Sequence, residues 1–201
     1  MPLPSSAAVP SPRAITAALA AAATTWLLLL VAAPYLVSHA RPGTGWFDAG
    51  GIVYLVGHLI CHQRADRSFH AWGVQLPVCA RCTGLYAGAV GGALFVVWRS
   101  WVRRGIRPGR KGTPTRVPRW GPRPPGTADR LPTYARTEWR RFLLVAALPT
   151  AVSVGLEIGR IWAQSPAVRA VAAIPLGFTV ACFVAVHAAD LIPSMRRRPC
   201  A

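Results

Sequence analysis

Four apolar stretches, at residues 14–37, 78–98, 141–162 and 168–192, constrain this chain more than anything else in it. Each supplies about 20 residues or more, the length a helix needs to cross a hydrocarbon core of about 30 Å. Inside lipid every backbone N–H and C=O must be paired within its own segment, which leaves the helix as the form such a run takes. Composition points the same way. The chain carries a net charge of +17 although 53% of its 201 residues are hydrophobic, so charge and apolarity must be segregated along the sequence. The expected fold class is an all-α membrane protein, a four-transmembrane-helix bundle with a motif-bearing outer loop and a disordered cytoplasmic linker.

The basic residues lie between and after the spans. From Arg99 to Arg141 there are thirteen Lys or Arg against two acids, Asp129 and Glu138, and the tail carries Arg196-Arg197-Arg198. Residues 38–77 hold Arg41, Arg64 and Arg67 against Asp48 and Asp66. Because positive loops stay on the cytoplasmic side, residues 99–140 read as a cytoplasmic linker, both termini as cytoplasmic, and 38–77 as an outer segment. Seven prolines and five glycines between residues 105 and 132 predict that the linker is disordered. The same holds for the Pro/Ser-rich residues 1–13, while 193–201 form a basic tail. The expected partners are the bilayer and, at the linker, anionic lipid headgroups. Nucleic-acid binding is not expected, because no recognition motif accompanies the charge.

Two features compete with this topology. Residues 49–60 (AGGIVYLVGHLI) are apolar, but twelve residues are too few to span, and His58 lies among them. They predict a short helix at, or dipping into, the outer interface; a span there would force the thirteen-charge linker outside. Ser38-His39-Ala40 resembles a signal-peptide cleavage site. The apolar run before it exceeds a usual signal core and only Arg13 charges its front, so an uncleaved first span is expected. Within the second span Gly84, Gly88 and Gly92 recur every four residues, leaving a small face for close approach of another helix.

The chemistry-bearing residues gather at the start of that span. Cys61 and His62 are followed, after a loop, by Cys79 and Cys82. If 52–62 is helical, His58, Cys61 and His62 share one face; Cys79, Cys82 and Tyr86 share another along the next helix. Together, Cys61, His62, Cys79 and Cys82 make a Cys3His set of the kind tetrahedral zinc accepts, and thiolates equally suit iron or cuprous copper. The alternative uses the same atoms for thiol–disulfide exchange, with Cys79 and Cys82 cycling and Cys61 as a third thiol. A helix N-terminus and nearby Arg81 favour thiolate there. A purely structural disulfide in a non-catalytic subunit is the third reading. An imidazole has no use in such a staple, which favours the metal.

Ionisable groups inside the spans add a second layer. Glu157, Arg160 and Arg169 fall at the same end as Arg81. Such groups are costly in lipid and tend to pair and face inward. Glu157 is placed to pair with Arg160 within a helix or with Arg81 between helices, leaving Arg160 or Arg169 for an anionic ligand or a quinone carbonyl. Snorkelling to the headgroups is the plainer role for the two arginines. His187 and Asp190 mark the inner interface, Cys182 is a small packing residue, and Cys200 lies in the basic tail.

Cys61-His62-Gln63, then Arg67-Ser68-Phe69, then Leu76-Pro77-Val78-Cys79-Ala80-Arg81-Cys82-Thr83-Gly84-Leu85-Tyr86 resembles the bacterial membrane family known as domain of unknown function 2085. The block runs from about Leu59 to Gly92, with a weaker echo from Pro149 to Phe178. Ala65-Asp66 stands where the family is expected to carry Pro-Glu, and Glu157 where it is expected to carry aspartate. The resemblance implies a small multi-pass protein of the inner membrane and names no activity. Arg67 and Ser68 orient the ligands or cap the following turn; the sequence does not choose. Whether the chain is an enzyme stays open at this level.

Overall fold

The computed structural model describes residues 11–105 and 133–195. Readings that fall on the first ten residues, on 106–132 and on the tail from 196, Cys200 included, lie outside the described residues, as does the side chain of Asp190.

Helix α1 (Pro12–His39) opens on Ser11, whose hydroxyl accepts the Ala14 N–H, with proline in the first turn where its missing donor costs nothing. Helix α2 (Gly45–Ile60) starts from the Thr44 cap after a turn through Gly43, at φ +83°. That short turn sends α2 back along α1. Gly50 lies against Ala33, Leu36 and Val37, and Val53 meets Leu30 in the core. A 3₁₀ turn (Ala65–Arg67) and a hairpin of two-residue strands, β1 (His70–Ala71) and β2 (Val74–Gln75), follow. Trp72 and Gly73, at φ 53° and 75°, form the left-handed pair a two-residue hairpin turn requires. The long helices α3 (Ala80–Gly105), α4 (Thr133–Ile158) and α5 (Pro166–Met195) complete the chain.

Among the described residues four helices are long and apolar enough to cross a membrane, over Arg13–His39, Ala80–Val102, Glu138–Ile158 and Pro166–Ala188. Large apolar side chains such as Leu28, Val145 and Val171 stand exposed along them, the surface that lipid covers in an all-α membrane protein. At 16 residues α2 is about 24 Å long, shorter than a hydrocarbon core of about 30 Å. It exposes Ile52, Leu55 and Leu59, an apolar stripe suited to the membrane edge.

The closest packing is between α3 and α5, which run parallel. Gly84 faces Ala170, Gly88 faces Ile174, Gly92 faces Phe178, and Gly177 of α5 fits against Leu85. A Cβ on Gly84 would stand 2.1 Å from the Ala170 carbonyl oxygen. Contact that close is available only to glycine and is how apolar helices associate in lipid, where the hydrophobic effect gives no drive. Buried Cys182 seals the seam, its thiol 3.5 Å from the Gly92 carbonyl. Helix α4 joins α5 through Thr150, whose hydroxyl donates to the Ala172 carbonyl at 2.8 Å. Because α3 and α5 begin where α1 and α4 end, residues 61–82, Glu157 and Arg169 share one end of the bundle. Arg99 in the last turns of α3 and Arg140 and Arg141 in the first turns of α4 lie at the other end.

The seam makes a direct prediction. Gly84→Ala lowers stability in detergent by about 1–3 kcal/mol through overpacking. Gly91→Ala, whose Cβ would meet nothing nearer than 3.6 Å, is neutral or slightly stabilising. Thermal unfolding of the two variants, followed by helical circular dichroism, checks the contrast.

Candidate metal and anion site

Three cysteines from two elements meet at the start of α3. Cys61 ends α2, while Cys79 and Cys82 lie just before and within the first turn of α3. Their sulfurs all lie within 4.8 Å of one another, the Cys79–Cys82 pair at 3.6 Å, and the Cys79 backbone N–H donates to the Cys61 sulfur at 3.2 Å. Leu30, Val53 and Val78 pack beneath them, with Tyr86 edge-on to Trp26.

Gln63 holds the two elements together. Its side-chain amide donates to the Tyr54 carbonyl of α2 at 2.8 Å and to the Pro77 carbonyl ahead of α3 at 2.7 Å. Its own carbonyl accepts from Gln75, and the Tyr54 hydroxyl donates to the Gln75 carbonyl. The clamp needs close approach: a Cβ on Gly57 would lie 2.4 Å from the Pro77 oxygen. Gln63 itself sits at φ +48°, a strained backbone conformation for a residue with a side chain. Sequence reasoning placed Gln63 in the family-like block without a role. The polar amide next to Cys-His was the signal available, and its partners are two main-chain carbonyls that no spacing rule anticipates.

His62 departs from the sequence expectation. Helix α2 stops at Ile60, and Cys61 is extended at φ −145°, ψ 139°, so Cys61 and His62 do not share a helical face. Cys61 turns into the core while His62 is exposed, and the imidazole is not part of the sulfur cluster. It does line the cavity onto which the sulfurs open, a space of about 370 Å³ bounded also by Gln63, Arg64, Arg67, Arg81 and Arg169. His58 is exposed on α2, and His187 lies against Phe183 at the far end of the bundle.

The other wall of the cavity is an ion-pair network around Glu157. Arg81 donates to its Oε2 at 2.6 Å and, through the same nitrogen, to the Ser153 carbonyl and hydroxyl at 3.3 Å. Arg67 and Arg169 approach Oε1 at 3.0 and 3.5 Å as ion pairs, without hydrogen-bond alignment. Ser153 and Gln164, both buried, exchange two hydrogen bonds that fix the end of α4 against the loop entering α5. Arg169 also donates to the Asp66 carbonyl at 3.2 Å, tying the 3₁₀ turn to α5. The role for Arg67 is therefore a contact to Glu157, and buried Ser68 donates to the Arg64 carbonyl, closing the turn. The pairing of Glu157 with Arg160 does not form. Helix α4 ends at Ile158, and Arg160, at φ +53° in the turn beyond, is exposed and outside the cavity.

Cys79 precedes the first residue of the α3 span. The hydrogen bond with the Cys82 thiol favours its thiolate, and the Cys82 and Arg81 backbone N–H groups and the Cys61 thiol act in the same direction. Against the opposing effect of partial burial, they hold the Cys79 thiol down to about 5.

Comparison with known proteins supports the membrane assignment and gives no activity. The model of a family described as predicted membrane protein, domain of unknown function 2085, matches residues 61–108. The matched stretch covers the thiol cluster and α3; the weaker echo at 149–178 lies outside it. An uncharacterized protein of Methanocaldococcus jannaschii is 37% identical over 68 residues, 34% of this chain and 44% of that protein. An uncharacterized protein of Methanothermobacter thermautotrophicus is 53% identical over 30 residues, 15% of this chain and 27% of that protein. The matched stretches thus span less than half of either relative, and both relatives are archaeal. No solved structure matches the chain.

The depressed Cys79 thiol predicts a pH profile. In protein treated with chelator and reductant, alkylation of Cys79 by iodoacetamide stays fast as pH falls from 8 toward about 6. It then declines through about 5, where the thiolate is protonated. Peptide mapping of the labelled protein checks this. A rate falling about tenfold per pH unit from about pH 8, as for an ordinary thiol, contradicts it.

Proposed function

We propose that this membrane protein binds a transition-metal ion through the thiolates of Cys61, Cys79 and Cys82, with His62, on the same cavity, as the fourth ligand. The observation that carries the reading is the convergence of the three sulfurs within 4.8 Å. A tetrahedral ion with metal–sulfur bonds of about 2.3 Å spaces its sulfurs about 3.8 Å apart, and the Cys79–Cys82 pair stands at 3.6 Å. Zinc suits the donor set best; iron and cuprous copper accept the same ligands. The Cys79 N–H on the Cys61 sulfur is the kind of outer hydrogen bond that steadies a thiolate ligand. By the distribution of positive charge, the site faces outward from the plasma membrane, with the basic linker against anionic lipid on the cytoplasmic side.

A second reading is favoured by the depressed Cys79 thiol. In it the Cys79 thiolate attacks a partner's disulfide, releasing one partner thiolate. Cys82 then displaces the other, leaving a Cys79–Cys82 disulfide and a reduced partner.

Metal content per chain, measured on protein extracted in detergent without chelator, separates the two when free thiols are titrated on the same sample. The metal reading predicts about one ion per chain, with Cys61, Cys79 and Cys82 shielded from alkylation until the ion is stripped. It also predicts that Cys79→Ser or Cys82→Ser abolishes retention, while His62→Ala weakens it. An ion-free protein with two thiols recovered only after reduction contradicts it.

A further inference from the structure

We infer that the arginine wall of the thiol cavity is a binding subsite for an oxyanion of the phosphate type, held by Arg169 and Arg67. The proposal rests on the arginine geometry and stands whether or not the sulfurs hold an ion.

Charge is the first ground. Arg64, Arg67, Arg81 and Arg169 line the cavity, and the carboxylates they meet are Asp66 and Glu157. Four guanidinium groups against two carboxylates leave an excess of two positive charges at the edge of a low-dielectric layer. A divalent ion on three thiolates carries a single negative charge, so one positive charge of the excess would still remain beside a loaded metal site. Arg64 and Asp66 are mostly exposed, but Arg67, Arg81 and Arg169 surround the single largely buried carboxylate of Glu157. Uncompensated charge on such sheltered groups is expensive, and an anionic ligand offsets it.

The second ground is unspent hydrogen-bonding capacity. Arg169 is 7% exposed, yet its Nε has no partner; its Nη1 reaches the Asp66 carbonyl, and its Nη2 is 3.5 Å from Glu157 without hydrogen-bond alignment. The Nε of Arg81 is likewise buried and unpartnered, while one terminal nitrogen, Nη2, makes the contacts to Ser153 and Glu157. A guanidinium presents its donors as a planar fork that matches two oxygens of a phosphate or carboxylate. Here Glu157 occupies only part of each fork.

Space is the third. About 370 Å³ exceeds what a few waters need and falls in the range of small-ligand pockets. An anion seated at Arg169 and Arg67 shares the cavity with the three sulfurs, which makes the subsite a means of presenting an anionic compound to them. The phosphate group can belong to a free solute or to a lipid headgroup, since the cavity opens at the membrane edge.

The test uses full-length protein in detergent, stripped of metal by chelator, with inorganic phosphate as the probe at constant ionic strength. Phosphate is expected to raise the thermal unfolding midpoint saturably. Arg67→Gln and Arg169→Gln should raise the half-saturating concentration about ten- to a hundredfold, the loss expected for a charge-assisted hydrogen bond. Arg160→Gln, which changes an exposed residue outside the cavity, should leave it unchanged. If Arg169→Gln does not fold, Arg67→Gln, on a partly exposed side chain, carries the test alone. A second arm adds phosphatidylglycerol. Competition with phosphate in the wild type, lost in Arg67→Gln, supports the subsite and identifies a lipid headgroup. Phosphate binding unaffected by the lipid supports it and identifies a free anion. No saturable response to phosphate in the wild type, or an equal response in Arg67→Gln, overturns the proposal. Neither outcome bears on metal content, which is read separately.

Discussion

The hydrogen bonds made by one side-chain amide organise the functional end of this bundle. Gln63 bridges the Tyr54 carbonyl and the Pro77 carbonyl, so α2 and the entry to α3 are held at a fixed separation. Everything chemically distinctive depends on that separation. Cys61 arrives from one side of the bridge and Cys79 from the other, and the Cys79 N–H meets the Cys61 sulfur because the two strands of chain are already registered. Glycine at 57 permits the approach, and the strained backbone at Gln63 is offset by the two hydrogen bonds its side chain makes to part-buried carbonyls.

A second constraint acts from the opposite wall. Glu157 sits at the end of α4 with only 13% of its side chain exposed and gathers Arg67, Arg81 and Arg169 from the loop, α3 and α5. A single carboxylate thus fastens three separate elements by charge where lipid offers no hydrophobic drive for helix association. Asp66 and Ser68 fold the intervening turn, and Arg169 reaches its main chain. The sulfur cluster and the arginine network are therefore two faces of one cavity.

Much of this was legible in the chain before any coordinates. Hydropathy and length are one-dimensional properties, so four helices long and apolar enough to span could be read directly. The glycines at 84, 88 and 92 announced a close helix contact, though not that the partner would be α5 running parallel. What escaped depended on where a helix stops and on long-range main-chain contacts. Extending α2 to His62 placed that imidazole on the cysteine face; ending it at Ile60, with Cys61 extended, puts it outside the cluster. Of the two partners open to Glu157, Arg81 forms the pair, and Arg160 does not because α4 ends at Ile158. The hairpin at residues 70–75 is too short to leave a periodic signal, and the role of Gln63 is written in carbonyls that every residue possesses.

X-ray absorption at the zinc edge of protein loaded with zinc tests the central claim most directly. Gln63 and the start of α3 bring three cysteine sulfurs within 4.8 Å of one another, so the account predicts three sulfur neighbours at about 2.3 Å and one nitrogen or oxygen neighbour at about 2.0–2.1 Å. A shell made only of nitrogen and oxygen, or one with fewer than three sulfurs, would contradict it.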